Sequence, residues 1–107
     1  METYQAVEIL GSLAQETRLT LFRLVVAAGP EGLSAAEIAR HVTVVPSSLA
    51  HHLSELTQTG LINSRRDGDE PIYSVRSETM SQLLNFLVEN CCGGRPDLCD
   101  PIWMKKP

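Results

Sequence analysis

Two short helices followed at once by a hairpin constrain the fold of this chain more than any other feature. The first of the two starts at Ser34, because Ser34-Ala35-Ala36-Glu37 fits a capping box, in which serine and glutamate satisfy each other's free amides. After a break at residues 42–45, Pro46 suits the first position of the second helix, and Thr59-Gly60 ends it. The buried stripe of this second helix is predicted to be Leu49, Leu53 and Leu56.

The hairpin lies directly after this helix pair. Two predicted strands, Leu61–Arg66 and Ile72–Arg76, flank the loop Asp67–Pro71, and its Asp-Gly dipeptide is a strong signal for a hairpin turn. A helix pair followed by a hairpin is the layout that puts one helix into the major groove of DNA and the hairpin against the DNA backbone. We therefore predict a mainly α fold with a β-hairpin wing, the winged helix-turn-helix.

Three further helices complete the prediction, two before the helix pair and one after the hairpin. Tyr4–Ala14 carries one apolar stripe, whereas Glu16–Ala28 is apolar all round, which is typical of a helix buried on most sides. Ser77–Asn90 has an apolar stripe, and the rest of so small a chain offers too little surface to bury it. The first and last helices are therefore expected to form a homodimer face. We expect one DNA-binding and dimerisation domain over residues 1–90 and a tail over residues 91–107.

The outward side of the second helix of the pair is the predicted reading surface for double-stranded DNA. Ser47 and His51 point away from the leucine stripe, and with Ser48 they are assigned to base edges or adjacent phosphates. His52 flanks the stripe, so it is either a partly buried packing residue or a phosphate donor. A metal site at His51-His52 is disfavoured, because adjacent helical residues diverge by about 100°.

Positive charge is concentrated near this surface although the chain as a whole is acidic. The formal net charge of −4 argues against a surface that attracts nucleic acid everywhere. The stretch from residue 40 to residue 66, however, holds three arginines against Glu55 as its one acidic residue. Arg65 and Arg66 are placed at the base of the wing, where they would reach phosphates or a minor groove, and a merely solvated surface is the alternative.

Several segments together resemble one known family. They are Leu13–Leu19, Ser34–Ala39, Ser47–Leu53, Gly60–Ile62 and the Arg65-Arg66-Asp67-Gly68 wing. In this order they resemble the ArsR/SmtB repressors, a metal- and metalloid-responsive winged-helix family, over about residues 5–90. The resemblance implies a symmetric dimer, packed through its first and last helices, that leaves its operator DNA when an inducer binds.

The resemblance does not give the position of the inducer site. Many members carry a Cys-x-Cys arsenic or lead site in the third helix, but Ser34–Val42 contains no cysteine. The zinc sensors of the family carry histidine in the last helix, and Ser77–Asn90 contains none. The inducer site is therefore expected elsewhere in this chain.

The chain's three cysteines, Cys91, Cys92 and Cys99, follow the last helix and are the expected inducer site. No signal sequence is evident and the longest apolar run is too short for a bilayer, so we expect a cytoplasmic protein without membrane contact, where thiols stay reduced. Three thiolates suit a soft, three-coordinate ion such as arsenite-derived As(III), or Sb(III). Gly93-Gly94 and Pro96 favour a turn that brings the sulfurs together, and some similar family members bind arsenite at a C-terminal cysteine cluster.

Other interpretations of the cysteines stay open at this point. Zinc would want a fourth ligand, from Asp97, Asp100 or Glu89, and a Cys92–Cys99 disulfide would make a redox switch. In a further alternative, the three thiols have no function in the tail, and the chain is a winged-helix module that binds DNA or a protein without sensing an inducer. A cysteine enzyme is disfavoured, because no histidine lies within the cysteine segment.

Overall fold

The computed structural model describes residues 1–89, which form five helices and three strands. The helices are α1 (Thr3–Leu13), α2 (Glu16–Ala28), α3 (Ala35–Ala39), α4 (Pro46–Gln58) and α5 (Ser77–Val88). The strands are β1 (Leu33–Ser34), β2 (Ile62–Asp67) and β3 (Glu70–Val75), and a 3₁₀ turn over Gly29–Glu31 connects α2 to β1. The predicted winged helix-turn-helix fold is confirmed.

The ends of α3 and α4 follow the local chemistry of their sequences. The Ser34 hydroxyl accepts a hydrogen bond from the Glu37 amide at 3.1 Å, and the Glu37 carboxylate accepts one from the Ser34 amide at 3.0 Å. The predicted capping box is therefore present. Pro46 opens α4, whose N-cap Val45 supplies no side-chain hydrogen bond, so α4 begins with its first amides free of a side-chain cap.

The wing is longer than the sequence predicts, and it belongs to a three-stranded antiparallel sheet. The strand order is β1-β3-β2, and Asp67 pairs with Glu70, so the hairpin loop is only Gly68-Asp69. Gly68 has φ +66°, a backbone conformation that glycine adopts readily. The predicted five-residue loop was wrong, because pairing continues past Arg66 to the turn. Strand β1 was not predicted, because its two residues are too few to show an alternating pattern.

The core lies between α1, α2, α4, α5 and the base of the wing. Its largest fully buried side chains come from α2, α3, α4, β2 and the residue that precedes β2: Leu21, Val25, Ile38, Leu53, Leu56, Leu61 and Ile62. Leu49, Leu53 and Leu56 of α4 are buried, as predicted. The expectation for α2 was wrong in part: Leu19 and Val26 are 44% and 45% exposed, because neighbouring elements cover only the side of α2 that carries Phe22.

The first and last helices expose apolar side chains in the single subunit. Helix α1 turns Ala6, Ile9 and Ser12 inward, so Tyr4, Val7 and Leu10 face solvent, whereas Leu13 packs against the core. The large side chains exposed on these two helices are Tyr4, Val7, Leu10 and Leu87. This surface is named the α1/α5 face below. Among residues 1–89 no helix has the length and hydropathy needed to cross a bilayer.

Candidate DNA-binding interface

Helix α4 presents a polar side because its apolar side is fixed in the core. Leu49 is 7% exposed and its two stripe partners are more deeply buried, which sets the rotation of the helix about its axis. Ser47 and His51 are exposed on the other side, and Ser48 and His52 are half-buried along one flank. The structure thus brings the four predicted α4 residues together on one surface.

His52 is tied to the beginning of α2 by an arginine that the sequence analysis did not assign to the site. A terminal nitrogen of Arg18 lies 3.3 Å from Nδ1 of His52. The Nε–H of Arg18 donates to the carbonyl oxygen of Ser12 at 2.6 Å, and its backbone amide donates to the Gln15 side chain at 2.8 Å. Arg18 therefore connects the end of α1 to the flank of α4.

The surroundings of His52 favour its neutral form. Burial lowers the pKa of His52 from its usual value of 6.5, and the positive charge of Arg18 lowers it further, followed by that of His51. The imidazole rings of His51 and His52 lie with centroids 5.8 Å apart and are tilted. At neutral pH the α4 flank therefore carries an uncharged imidazole next to a guanidinium.

The two wing arginines lie near the hairpin turn and not at the base of the wing, which corrects the predicted position. Arg65 pairs with Ile72 and Arg66 with Pro71, the last pair but one before the Gly68-Asp69 loop. Strand β2 leaves the core at buried Ile62, so Arg65 and Arg66 lie in its outer half, close to the turn. Arginine side chains near the turn extend farther from the core than side chains at the base of the wing would.

Both wing arginines are exposed, and both donate to backbone carbonyls. Arg65 donates to Glu31 at 2.7 Å and to Pro30 at 3.5 Å, so it fixes the wing to the 3₁₀ turn. Arg66 donates to the carbonyl of Asp69 at 3.1 Å, within the hairpin itself. A guanidinium has five N–H donors, so each arginine keeps others for a phosphate.

The predicted inducer ligands Cys91, Cys92 and Cys99 lie outside the described residues. Within the part of the chain that is described, no three histidine, cysteine, aspartate or glutamate side chains come together as a metal site. The cysteine segment keeps its status as a prediction.

Comparison with known proteins identifies the family. A model described as a helix-turn-helix domain matches residues 13–65. The HTH-type transcriptional regulator YgaV of Escherichia coli (strain K12) is 30% identical over 88 residues, 82% of this chain and 87% of that protein. The putative arsenical resistance operon repressor ArsR of Halobacterium salinarum is 36% identical over 81 residues, 74% of this chain and 62% of that protein. The chain belongs to the ArsR family.

Solved structures of ArsR regulators have the same fold. A homodimeric winged helix-turn-helix DNA-binding domain from Mycobacterium bovis, described as a possible ArsR-family regulator, superposes with a TM-score of 0.64 at 18% identity, covering 81% of each chain. At this identity the likeness establishes the fold. As an ArsR-family protein the chain is a transcriptional regulator that binds DNA through its helix-turn-helix domain.

Proposed function

We propose that this ArsR-family regulator binds a two-fold symmetric operator as a homodimer and represses transcription until trivalent arsenic, or antimony, binds Cys91, Cys92 and Cys99. The observation that carries the proposal is the polar side of α4, exposed above a stripe of buried leucines. A recognition helix needs this arrangement, because its core side must hold it rigidly while its outer side enters the major groove.

The DNA contacts divide between base reading and backbone positioning. Ser47, Ser48 and His51 are proposed to contact base edges or the adjacent phosphates, because small hydroxyls allow close approach and histidine exchanges hydrogen bonds with purine N7 and O6. His52 is proposed to contact a phosphate from the half-buried flank. The first turn of α4, which has no side-chain cap, leaves free amides that favour a nearby phosphate.

The wing contributes the positive charge of the interface. Arg65 and Arg66 are proposed to contact phosphates or the minor groove, with Arg65 also holding the wing to the 3₁₀ turn. Their position near the hairpin turn favours this role, since the turn is the part of the wing farthest from the core. With a chain that is acidic overall, affinity depends on these local charges.

Homodimerisation is proposed to bury the α1/α5 face. Tyr4 is 64% exposed and Val7 is 61% exposed on a helix that is otherwise anchored in the core. Isolated subunits rarely leave such a row of apolar side chains to solvent, and a two-fold pair would cover it on both chains at once. The fold relative from M. bovis is described as homodimeric, which supports a homodimer but does not concern the face that forms it.

The inducer is proposed to be arsenite, with antimonite as the chemically similar second ligand. Three thiolates provide the soft donor set of a pyramidal As(III) or Sb(III) centre, from one subunit or from both. The H. salinarum relative, named a putative arsenical resistance operon repressor, supports this ligand class. Because the cysteines come soon after Val88, the last residue of α5, binding is proposed to act on the end of a helix of the dimer face.

The experiment measures operator binding by the full-length reduced protein with and without arsenite. The probe is a labelled palindromic duplex selected from random-sequence DNA by the wild-type protein, followed by fluorescence anisotropy. Arsenite is expected to weaken binding about 5- to 150-fold, the range of ordinary allosteric coupling. The Cys91→Ser/Cys92→Ser/Cys99→Ser variant should bind the duplex like wild type and lose the response.

Two further arms separate the inducer chemistries. Zinc added in place of arsenite tests the four-ligand alternative, and a disulfide-forming oxidant tests the Cys92–Cys99 switch. A response to zinc or oxidant with none to arsenite contradicts the metalloid assignment. A normal arsenite response in the triple variant contradicts the site.

The salt dependence of DNA binding should identify a phosphate contact by Arg66. Each phosphate contact contributes about −0.9 to the slope of log K against log salt, so Arg66→Gln on both subunits should reduce the slope by about two. Arg23→Gln is the matched control, because Arg23 is exposed on α2 and the substitution removes the same charge. If both variants change the slope equally, the effect is one of net charge and Arg66 makes no contact.

A further inference from the structure

We infer that Arg18 is a positioning residue for DNA binding: it holds His52 in one orientation and one neutral tautomer, so that the ring offers its Nε2–H to a DNA phosphate. The inference rests on the proposed operator binding, and it adds a residue that lies outside α4 and the wing. It starts from a contact that spans 34 positions of the sequence.

The geometry makes Arg18 a fixed donor. Its Nε–H is held by the Ser12 carbonyl at 2.6 Å, which orients the plane of the guanidinium. A terminal N–H then meets Nδ1 of His52 at 3.3 Å. Because a planar guanidinium has all its donors in one rigid fork, fixing one N–H restricts the direction of the others.

The anchor of Arg18 is itself held between two helices. Ser12 is 4% exposed, and its hydroxyl donates to the Ile9 carbonyl at 2.9 Å within α1. The same hydroxyl lies 3.2 Å from the hydroxyl of Thr59 at the end of α4. Ser12 thus contacts the end of α4 directly, and it contacts His52 in the middle of α4 through Arg18. The guanidinium of Arg18 is therefore held by both α1 and α4.

The chemistry of the pair fixes the proton on the other ring nitrogen. Arginine stays protonated in proteins, so in this hydrogen bond Arg18 is the donor and Nδ1 is the acceptor. Nδ1 of a neutral imidazole accepts only when the hydrogen is on Nε2. The lowered pKa of His52 agrees with this, because a second positive charge beside Arg18 is disfavoured. The ring therefore keeps a single N–H for an outside acceptor.

A phosphate oxygen is the acceptor that this donor fits. His52 is half-buried on the flank of α4, whereas exposed His51 is on the outward side with Ser47. Side chains on the flanks of a recognition helix face the groove walls, which are lined by the DNA backbone. A neutral, oriented N–H donor there helps to position the protein on the DNA backbone, and it does not increase the salt dependence of DNA affinity.

The test reads the tautomer directly, in the full-length protein without DNA. Long-range ¹H–¹⁵N spectra at pH 7 distinguish the two ring nitrogens of each of the three histidines, and a His52→Asn variant assigns the signals of His52. Wild type should show neutral His52 with hydrogen on Nε2 only. Arg18→Met, which keeps an apolar stem and removes the donors, should give a mixture of tautomers. Arg23→Gln, on the exposed side of α2, should leave the spectrum unchanged.

The second arm measures affinity for the selected operator duplex. His52→Asn and Arg18→Met should each weaken binding about tenfold per half-site, the effect of one hydrogen bond to a charged group. The double variant should be no weaker than His52→Asn alone, because Arg18 acts through His52. Losses that multiply would overturn the inference, as would Nδ1–H or charged His52 in the wild-type spectrum.

The two arms keep this inference separate from the proposed function. The wild-type spectrum decides the tautomer even if Arg18→Met does not fold, since it needs no variant at position 18. Normal DNA binding that arsenite does not weaken would contradict arsenite as the inducer, and it would not affect the positioning role of Arg18. A wild-type protein that binds no duplex would overturn both the proposed function and the phosphate contact.

Discussion

Gly32→Ala is expected to destabilise the domain by about 4 kcal/mol, a large share of the stability of a protein this small. Gly32 has φ +76° and ψ −171°, a region that is essentially restricted to glycine and costs other residues about 1–3 kcal/mol. A Cβ at this position would also overlap the carbonyl oxygen of Tyr73. Relieving such an overlap in a packed region costs about 1–3 kcal/mol more. Urea unfolding followed by circular dichroism measures the loss.

Gly29→Ala separates the two contributions, because Gly29 has nearly the same backbone conformation in an open place. Its φ is +71° and its ψ is −161°, and an added Cβ would meet nothing within 4 Å. Gly29→Ala should therefore cost only the conformational part, about 1–3 kcal/mol. Equal losses of stability in the two variants would mean that the overlap of the added Cβ with Tyr73 costs nothing.

The packing at Gly32 also supports the DNA-binding surface. Gly32 lets the chain pass close to β3, so that Leu33 pairs with Tyr73. The carbonyl of Glu31, next to Gly32, accepts the bond from Arg65. The wing therefore depends on the connection after α2 for its position, and stability and DNA binding share this residue.

Local chemistry explains why the sequence predicts the helix-turn-helix and wing so closely. A capping box, a proline at the first helical position and an Asp-Gly turn each act over a few residues, where the chain leaves few alternatives. Ser34, Pro46 and Gly68 mark element boundaries that the structure reproduces. The leucine stripe of α4 then fixes which of its side chains face outward.

Local sequence patterns do not indicate contacts between segments that are distant in the chain. Leu33 joins β3 only because the 3₁₀ turn and Gly32 bring it there, and a two-residue strand has no pattern of its own. Arg18 belongs to the family-like segment Leu13–Leu19, yet nothing in its neighbours indicates a partner at His52. The direction of the α1 stripe likewise depended on which face the core could cover, since Ala6 and Ile9 compete with larger residues.

Val7→Glu is expected to convert the protein to a monomer and to weaken operator binding about 100-fold or more. Val7 is 61% exposed in the subunit, so the charge should be tolerated by the fold itself. In the proposed dimer the two-fold axis would bury one unpaired carboxylate from each chain, at about 3–5 kcal/mol each. A monomer loses the effective concentration that joins two half-site contacts, a factor of about 10² to 10⁴. Analytical ultracentrifugation and anisotropy measure the two effects.

Val26→Glu is the matched control, since it is the same substitution at another exposed helical valine. Val26 is 45% exposed on α2, a helix that contributes no residue to the α1/α5 face, so Val26→Glu should keep both the dimer and its operator affinity. Circular dichroism should show both variants folded. A dimeric Val7→Glu protein with normal affinity would contradict the α1/α5 face as the dimer interface. Dissociation caused equally by Val26→Glu would instead shift the interface to α2, whose exposed Leu19 and Val26 would then need a partner.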